Sequence, residues 1–162
     1  MLQLGKNEDD FLALYSEYGK NIKRLLIGMT GNEAIADELM QEAFTKAWVK
    51  LPSFAFKSSL KTWVYQVAIN VGRDWLRGHK NRNLDFEENS LQETDIDKKS
   101  VQEALSSLPD EMREILILFY WEGMDHREMA RVLEVPKGTV KSRLFTARTK
   151  LKEALLIKGY EL

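Results

Sequence analysis

Two stretches of this chain place cations at helical spacing beside side chains that can grip a nucleic acid. The first is residues 54–82, FAFKSSLKTWVYQVAINVGRDWLRGHKNR, in which six Lys and Arg face a single acid, Asp74, and alternate with Phe54, Phe56, Trp63, Tyr65 and Trp75. Rings that stack on unpaired bases, beside cations that follow phosphates, are what single-stranded DNA requires of a protein surface. On a helix, Trp63, Gln66, Asn70, Arg73 and Arg77 recur three or four residues apart and make one stripe. Val64, Val67, Ala68, Val71 and Trp75 make the apolar side. A plainer reading competes, in which core aromatics sit among solvated cations. It is adopted for Trp75, on the apolar side, whereas Trp63, Gln66 and Asn70 read as base contacts.

The second stretch, residues 123–155, is GMDHREMARVLEVPKGTVKSRLFTARTKLKEAL. Asp125 is placed to cap a helix, with Glu128 three residues on as in a capping box. Met129, Ala130 and Leu133 form the buried face of that helix. Val135-Pro136-Lys137-Gly138 reads as a tight turn, with Thr139 starting the next helix. There Val140, Leu144, Ala147 and Leu151 point inward, and Lys141, Ser142, Phe145, Arg148 and Lys152 point outward. From Val135 to Lys152 there are six Lys and Arg and no acid, the footprint of a recognition helix lying in the major groove. The alternative is an ordinary helical hairpin with a solvated basic face; the short turn, a buried Ala130 and the basic second helix together favour DNA.

The elements that must position these residues read as helical throughout, so the fold class is all-α. Apolar residues recur at three- and four-residue steps from Asp9 to Met29 (Phe11, Leu14, Tyr15, Tyr18, Ile22, Leu25), where Thr30-Gly31-Asn32 stops the pattern. A second helix is expected over Glu33–Lys50, with Ile35, Leu39, Ala43 and Ala47 on one face, and a third from Leu60 to about His79. Residues 80–97, KNRNLDFEENSLQETDID, lose the periodicity and carry six acids against two cations, which reads as a flexible acidic linker. Helix resumes near Lys98 and breaks at Leu108-Pro109; Pro109 suits the first turn of a further helix, with Met112, Ile115, Leu116 and Phe119 on one face and its end at Gly123. The expected domains are residues 1–79 and 98–162, two small helical units on that tether.

Composition removes other classes. The net charge of −1 conceals two basic arms around the acidic insert: ten cations against nine acids in residues 1–79, and twelve against ten in residues 98–162. With no Cys and only His79 and His126, the chain has neither a thiolate site nor a metal cluster, and no nucleophile–base pair or phosphate loop marks it as an enzyme. No catalytic residue, cofactor or metal is expected. The absence of a signal pattern or membrane-length apolar run points to a cytoplasmic protein without membrane insertion.

Three stretches then resemble the extracytoplasmic-function class of bacterial sigma-70-type factors: ADELMQEAFTKAWVKL (36–51), SSLKTWVYQVAINVGRDWLR (58–77) and LPDEMREILILFYWEGMDHREMARVLEVPKGTVKSRLFTARTKL (108–151). They occur in the family's order. The resemblance implies a factor that binds core RNA polymerase, through its β′ and β subunits, and directs it to promoter DNA. It implies polymerase docking by Glu38, Gln41 and Glu42, which otherwise read as a solvated acidic face. It assigns the opened −10 strand to Phe54, Ser58, Trp63, Gln66, Asn70, Arg73 and Arg77. The −35 duplex falls to Lys137, Thr139, Lys141, Ser142, Phe145, Thr146 and Arg148. The linker corresponds to the connector near the RNA exit path, and an anti-sigma factor is the implied inhibitor. The sequence departs from the family at Ala55-Phe56-Lys57 and at Phe145-Thr146, both where promoter sequence is read, so promoter identity does not carry over. A helix-turn-helix operator binder would explain the C-terminal half but leave residues 36–77 without a role, and a helical adaptor would not need the basic recognition helix.

Overall fold

The computed structural model describes residues 8–54, 57–79 and 96–160, and every regular element among them is helical. The chain divides into two compact units, residues up to 82 and residues from 83 onward. The stretch expected to be the linker lies outside the described residues as far as residue 95.

The first unit holds α1 (Glu8–Thr30), α2 (Glu33–Lys50), a 3-10 turn (Leu51–Ser53) and α3 (Leu60–Gly78). Each boundary has a local cause. Thr30 turns its hydroxyl back onto the Leu26 carbonyl at 2.7 Å, and Gly31 takes the left-handed conformation (φ 71°) that ends α1. Asn32 then caps α2, its side-chain oxygen accepting from the Ile35 N–H at 3.0 Å. Ser59 does the same for α3, accepting from the Thr62 N–H at 3.1 Å. The three helices pack on one another through Ile22, Leu25, Leu26 and Met29 of α1, Ala36, Ala43, Phe44 and Ala47 of α2, and Val64, Tyr65, Ala68 and Ile69 of α3, all buried. Gly72 lets α3 approach α1 closely: a Cβ there would stand 2.7 Å from Met29 Cε.

The second unit holds α4 (Ile96–Ser106), α5 (Asp110–Leu116), a π-helical turn (Ile117–Trp121), α6 (His126–Leu133) and α7 (Lys137–Ile157). Buried Arg113 joins the start of α5 to the end of α4, pairing with Asp110 at 2.5 Å and donating to the Ser106 carbonyl at 3.4 Å. The core is Leu105, Ile115, Leu116, Leu118, Met129, Val132, Val140, Leu144 and Ala147.

Several expectations need correction. Trp75 is not core: it is half-buried and stacks on His79, ring centroids 4.2 Å apart, while Leu76 takes the buried place beside it. The ring meets the C-cap residue, His79, instead of the core. Pro109 is the N-cap of α5, one residue outside the helix. The helix expected to run unbroken to Gly123 widens at Ile117–Trp121, where the Glu122 N–H reaches back five residues to the Ile117 carbonyl. Gly123 does close it, at φ 62°. Ala130 is half-buried. The turn between α6 and α7 is Glu134-Val135-Pro136, so Thr139 lies inside the first turn of α7 and not at its cap.

Candidate nucleic-acid interface

In the second unit, α6 is fixed before α7 is placed. Both halves of the expected capping box form: Asp125 Oδ1 accepts from the Glu128 N–H at 2.8 Å, and Glu128 Oε2 accepts from the Asp125 N–H at 3.1 Å. The Glu128 backbone bond holds the Asp125 carboxyl below its ordinary range. The helix ends on Glu134 in the left-handed conformation (φ 56°, ψ 44°), the Val135 N–H bonds the Ala130 carbonyl at 3.1 Å, and Pro136 starts α7 with a fixed φ of −60°.

That turn presents one side of α7 to solvent. Val140, Leu144 and Ala147 are buried, and Leu151 is half-buried. Lys137, Lys141, Ser142, Phe145, Thr146 and Arg148 are exposed and Thr139 is half-buried, its carbonyl accepting from the Ser142 hydroxyl at 3.1 Å. Phe145 is 75% exposed. Arg148 lays its guanidinium over the Phe119 ring at 4.6 Å and reaches Tyr120 at 5.6 Å.

In the first unit, Asn70 and Arg77 of the α3 stripe are exposed, and Trp63, Gln66 and Arg73 are half-buried. Arg77 pairs with Asp74, an acid that falls within the stripe itself. Phe54 follows the 3-10 turn, its N–H bonded to the Leu51 carbonyl at 3.1 Å, and its ring lies 5.0 Å from that of Trp63. Ser58 is half-buried beside the Ser59 cap. On α2, Glu38, Gln41 and Glu42 are all exposed, on the side away from Leu39, Met40, Ala43 and Ala47, and Glu42 pairs with Lys46 at 2.8 Å. That bond raises the Lys46 pKa.

The family models for sigma-70 region 2 and sigma-70 region 4 match residues 14–82 and 98–151. The ECF RNA polymerase sigma factor SigM of Bacillus subtilis is 31% identical over 157 residues, covering 90% of this chain and 94% of that protein. The chain belongs to the ECF class of the sigma-70 family. The sigma factor RfaY of Xanthomonas campestris is 30% identical over 152 residues, 83% of this chain, which spans 38% of that protein's length. The structure of the sigma factor RpoE in complex with the anti-sigma factor NepR from Bartonella quintana superimposes with a TM-score of 0.72 at 27% identity, covering 91% of this chain and 98% of that one. This sigma factor therefore directs transcription initiation by RNA polymerase and is itself non-catalytic. No helix among the described residues is long and apolar enough to cross a membrane.

Sequence reasoning missed the ring contacts of the sigma factor's Arg148, because Phe119 was placed on the core face and Tyr120 was given no role. A signal was present: Phe119, Tyr120 and Trp121 are consecutive, and successive residues on a helix turn too far from one another to share one buried face.

Proposed function

We propose that the two units divide promoter recognition as the family resemblance implies. Residues 1–79 bind core polymerase, with Glu38, Gln41 and Glu42 as the dock on its β′ coiled coil, and hold the melted −10 strand on Phe54, Ser58, Trp63, Gln66, Asn70, Arg73 and Arg77. Residues 98–162 set α7 in the −35 major groove, where Lys141 reads a base edge, Arg148 holds a phosphate, and Lys137, Thr139, Ser142, Phe145 and Thr146 complete the contact. Residues 80–97 join the two. The factor acts in the cytoplasm, and an anti-sigma factor sequesters it, as NepR binds the structural relative.

The contact between Phe54 and Trp63 carries this reading. It joins the segment before α3 to the stripe along it, and it leaves two half-buried rings where a base released from its stack finds a partner. Stacking of that kind is worth about 1–3 kcal/mol per base, which is about tenfold or more in affinity. The test is permanganate footprinting of thymines near the start sites that run-off transcription on genomic fragments defines. Trp63→Ala/Asn70→Ala holoenzyme is expected to fail on duplex promoter and to recover on a pre-melted bubble, with core binding intact. Normal melting by the variant would remove this role from the stripe, and a wild-type factor that melts nothing with polymerase would be an operator-binding regulator.

A further inference from the structure

Among the described residues, the guanidinium of Arg148 meets no carboxylate; it meets two rings. Phe119 is half-buried and Tyr120 is 56% exposed, whereas Ile115, Leu116, Ile117 and Leu118 just before them are buried. Both rings belong to the π-helical turn, Ile117–Trp121, and stand edge to face with centroids 5.0 Å apart. Arg148 itself lies nearly in line with Lys141 on α7, seven residues on, about 10 Å further along the axis. The major groove is about 8.5 Å deep. A helix whose first turns reach the base edges therefore carries a residue two turns back at the level of the phosphate wall.

We infer that Phe119 and Tyr120 form an aromatic ledge that holds Arg148 against a phosphate of duplex DNA, with Tyr120 at the rim as a second contact through its hydroxyl. The inference rests on the −35 reading of α7. A cation on a ring face keeps its charge and its outward N–H donors while giving up rotamers it would otherwise have to lose on binding. Tyrosine hydroxyls and arginines both belong among phosphate ligands. A protein partner would also use Tyr and Arg, but between Val135 and Lys152 five cations are exposed and no acid occurs in the sequence, which selects a polyanion. Phe119 is a positioning residue here, Tyr120 both positions Arg148 and adds its hydroxyl, and Arg148 makes the main contact.

The experiment is equilibrium binding of the full-length chain to a duplex carrying a mapped −35 element and to a random-sequence duplex, each over a range of salt. Arg148→Ala is expected to weaken both duplexes alike and to lower the salt slope by about one. Tyr120→Leu, which keeps the arginine, is expected to lose about two- to fivefold, and Tyr120→Phe to recover the part due to the ring. The decisive readout is the pair: Arg148→Ala/Tyr120→Leu should lose no more than Arg148→Ala and the hydroxyl contact together, less than the product of the two single losses. Independent, multiplying losses would overturn the ledge, as would unchanged DNA binding by Tyr120→Leu with a loss of polymerase capture, which would make it a protein surface. Melting temperature of each variant separates a lost contact from a lost fold. A wild-type chain that binds neither duplex, alone or as holoenzyme, would instead overturn the −35 reading itself.

Discussion

The α3 stripe and the outer face of α7 carry similar cations and present them in opposite ways. On α7 five of the six cations stand exposed with no acid for eighteen residues of sequence, from Val135 to Lys152, only Arg143 being half-buried against Glu111, and the one large apolar side chain among them, Phe145, is 75% exposed. On α3 the ring, the amide and one cation are half sunk into the unit, and the stripe contains its own acid, Asp74, already paired with Arg77. A duplex groove admits a whole convex helix and rewards charge along its length. Loose bases need recesses with rings at their edges, and there uncompensated charge would hold any strand indiscriminately. On the proposed division of labour, the difference in burial corresponds to a difference in the form of the nucleic acid: duplex for α7 and an opened strand for α3.

The largest expected effect asks whether the two faces belong to independent folds. Phe44 and Leu118 are each at most 1% exposed, one in each unit. Phe44→Ala should cost about 3–5 kcal/mol and Leu118→Ala about 2–5 kcal/mol. In calorimetry each should lower only the transition of its own unit; one shared transition moving with either variant would show a single cooperative fold. A smaller effect would make α3 resemble α7. Asp74→Asn frees Arg77 and removes the acid, so binding of single-stranded −10 oligonucleotide to holoenzyme should tighten about two- to fivefold and depend more steeply on salt. Unchanged affinity would mean that Arg77 is aimed away from the strand.

The smallest expected effect is a pH dependence confined to the second unit. The folded carboxyl of Asp125 lies below its ordinary range because it accepts the Glu128 N–H. Its contribution to stability is thus complete above the unfolded value and disappears as pH falls through the folded one, below about pH 4. Asp125→Asn keeps the cap without the titration. Thermal melts followed by circular dichroism should show wild type losing more stability than this variant in that window, and equal losses would place the acid sensitivity elsewhere.

Much of this was legible in the sequence, for identifiable reasons. Helix α2 begins and ends where Asn32 and Pro52 say it must, and Val64, Val67, Ala68 and Val71 are buried as their spacing requires, because periodicity and caps are local. The capping box of α6 was readable from two residues. What escaped were features decided by packing. Trp75 has the right spacing, but its neighbour Leu76 takes the buried place and its ring stacks on His79. The π turn has no sequence signature beyond three adjacent aromatics. The ring partners of Arg148 lie almost thirty residues away in the chain, beyond the reach of any local pattern.

Glu134 has one more consequence. Its φ of 56° places a side chain where glycine is the usual occupant, at a cost of about 1–2 kcal/mol, and its carboxylate is exposed directly before the acid-free face. Glycine at this position would relieve the backbone and strengthen attraction to any duplex in one substitution. The sequence takes neither gain. A genome offers a promoter-reading helix millions of wrong sites for each right one, and a fixed negative charge beside that helix lowers occupancy of all of them together.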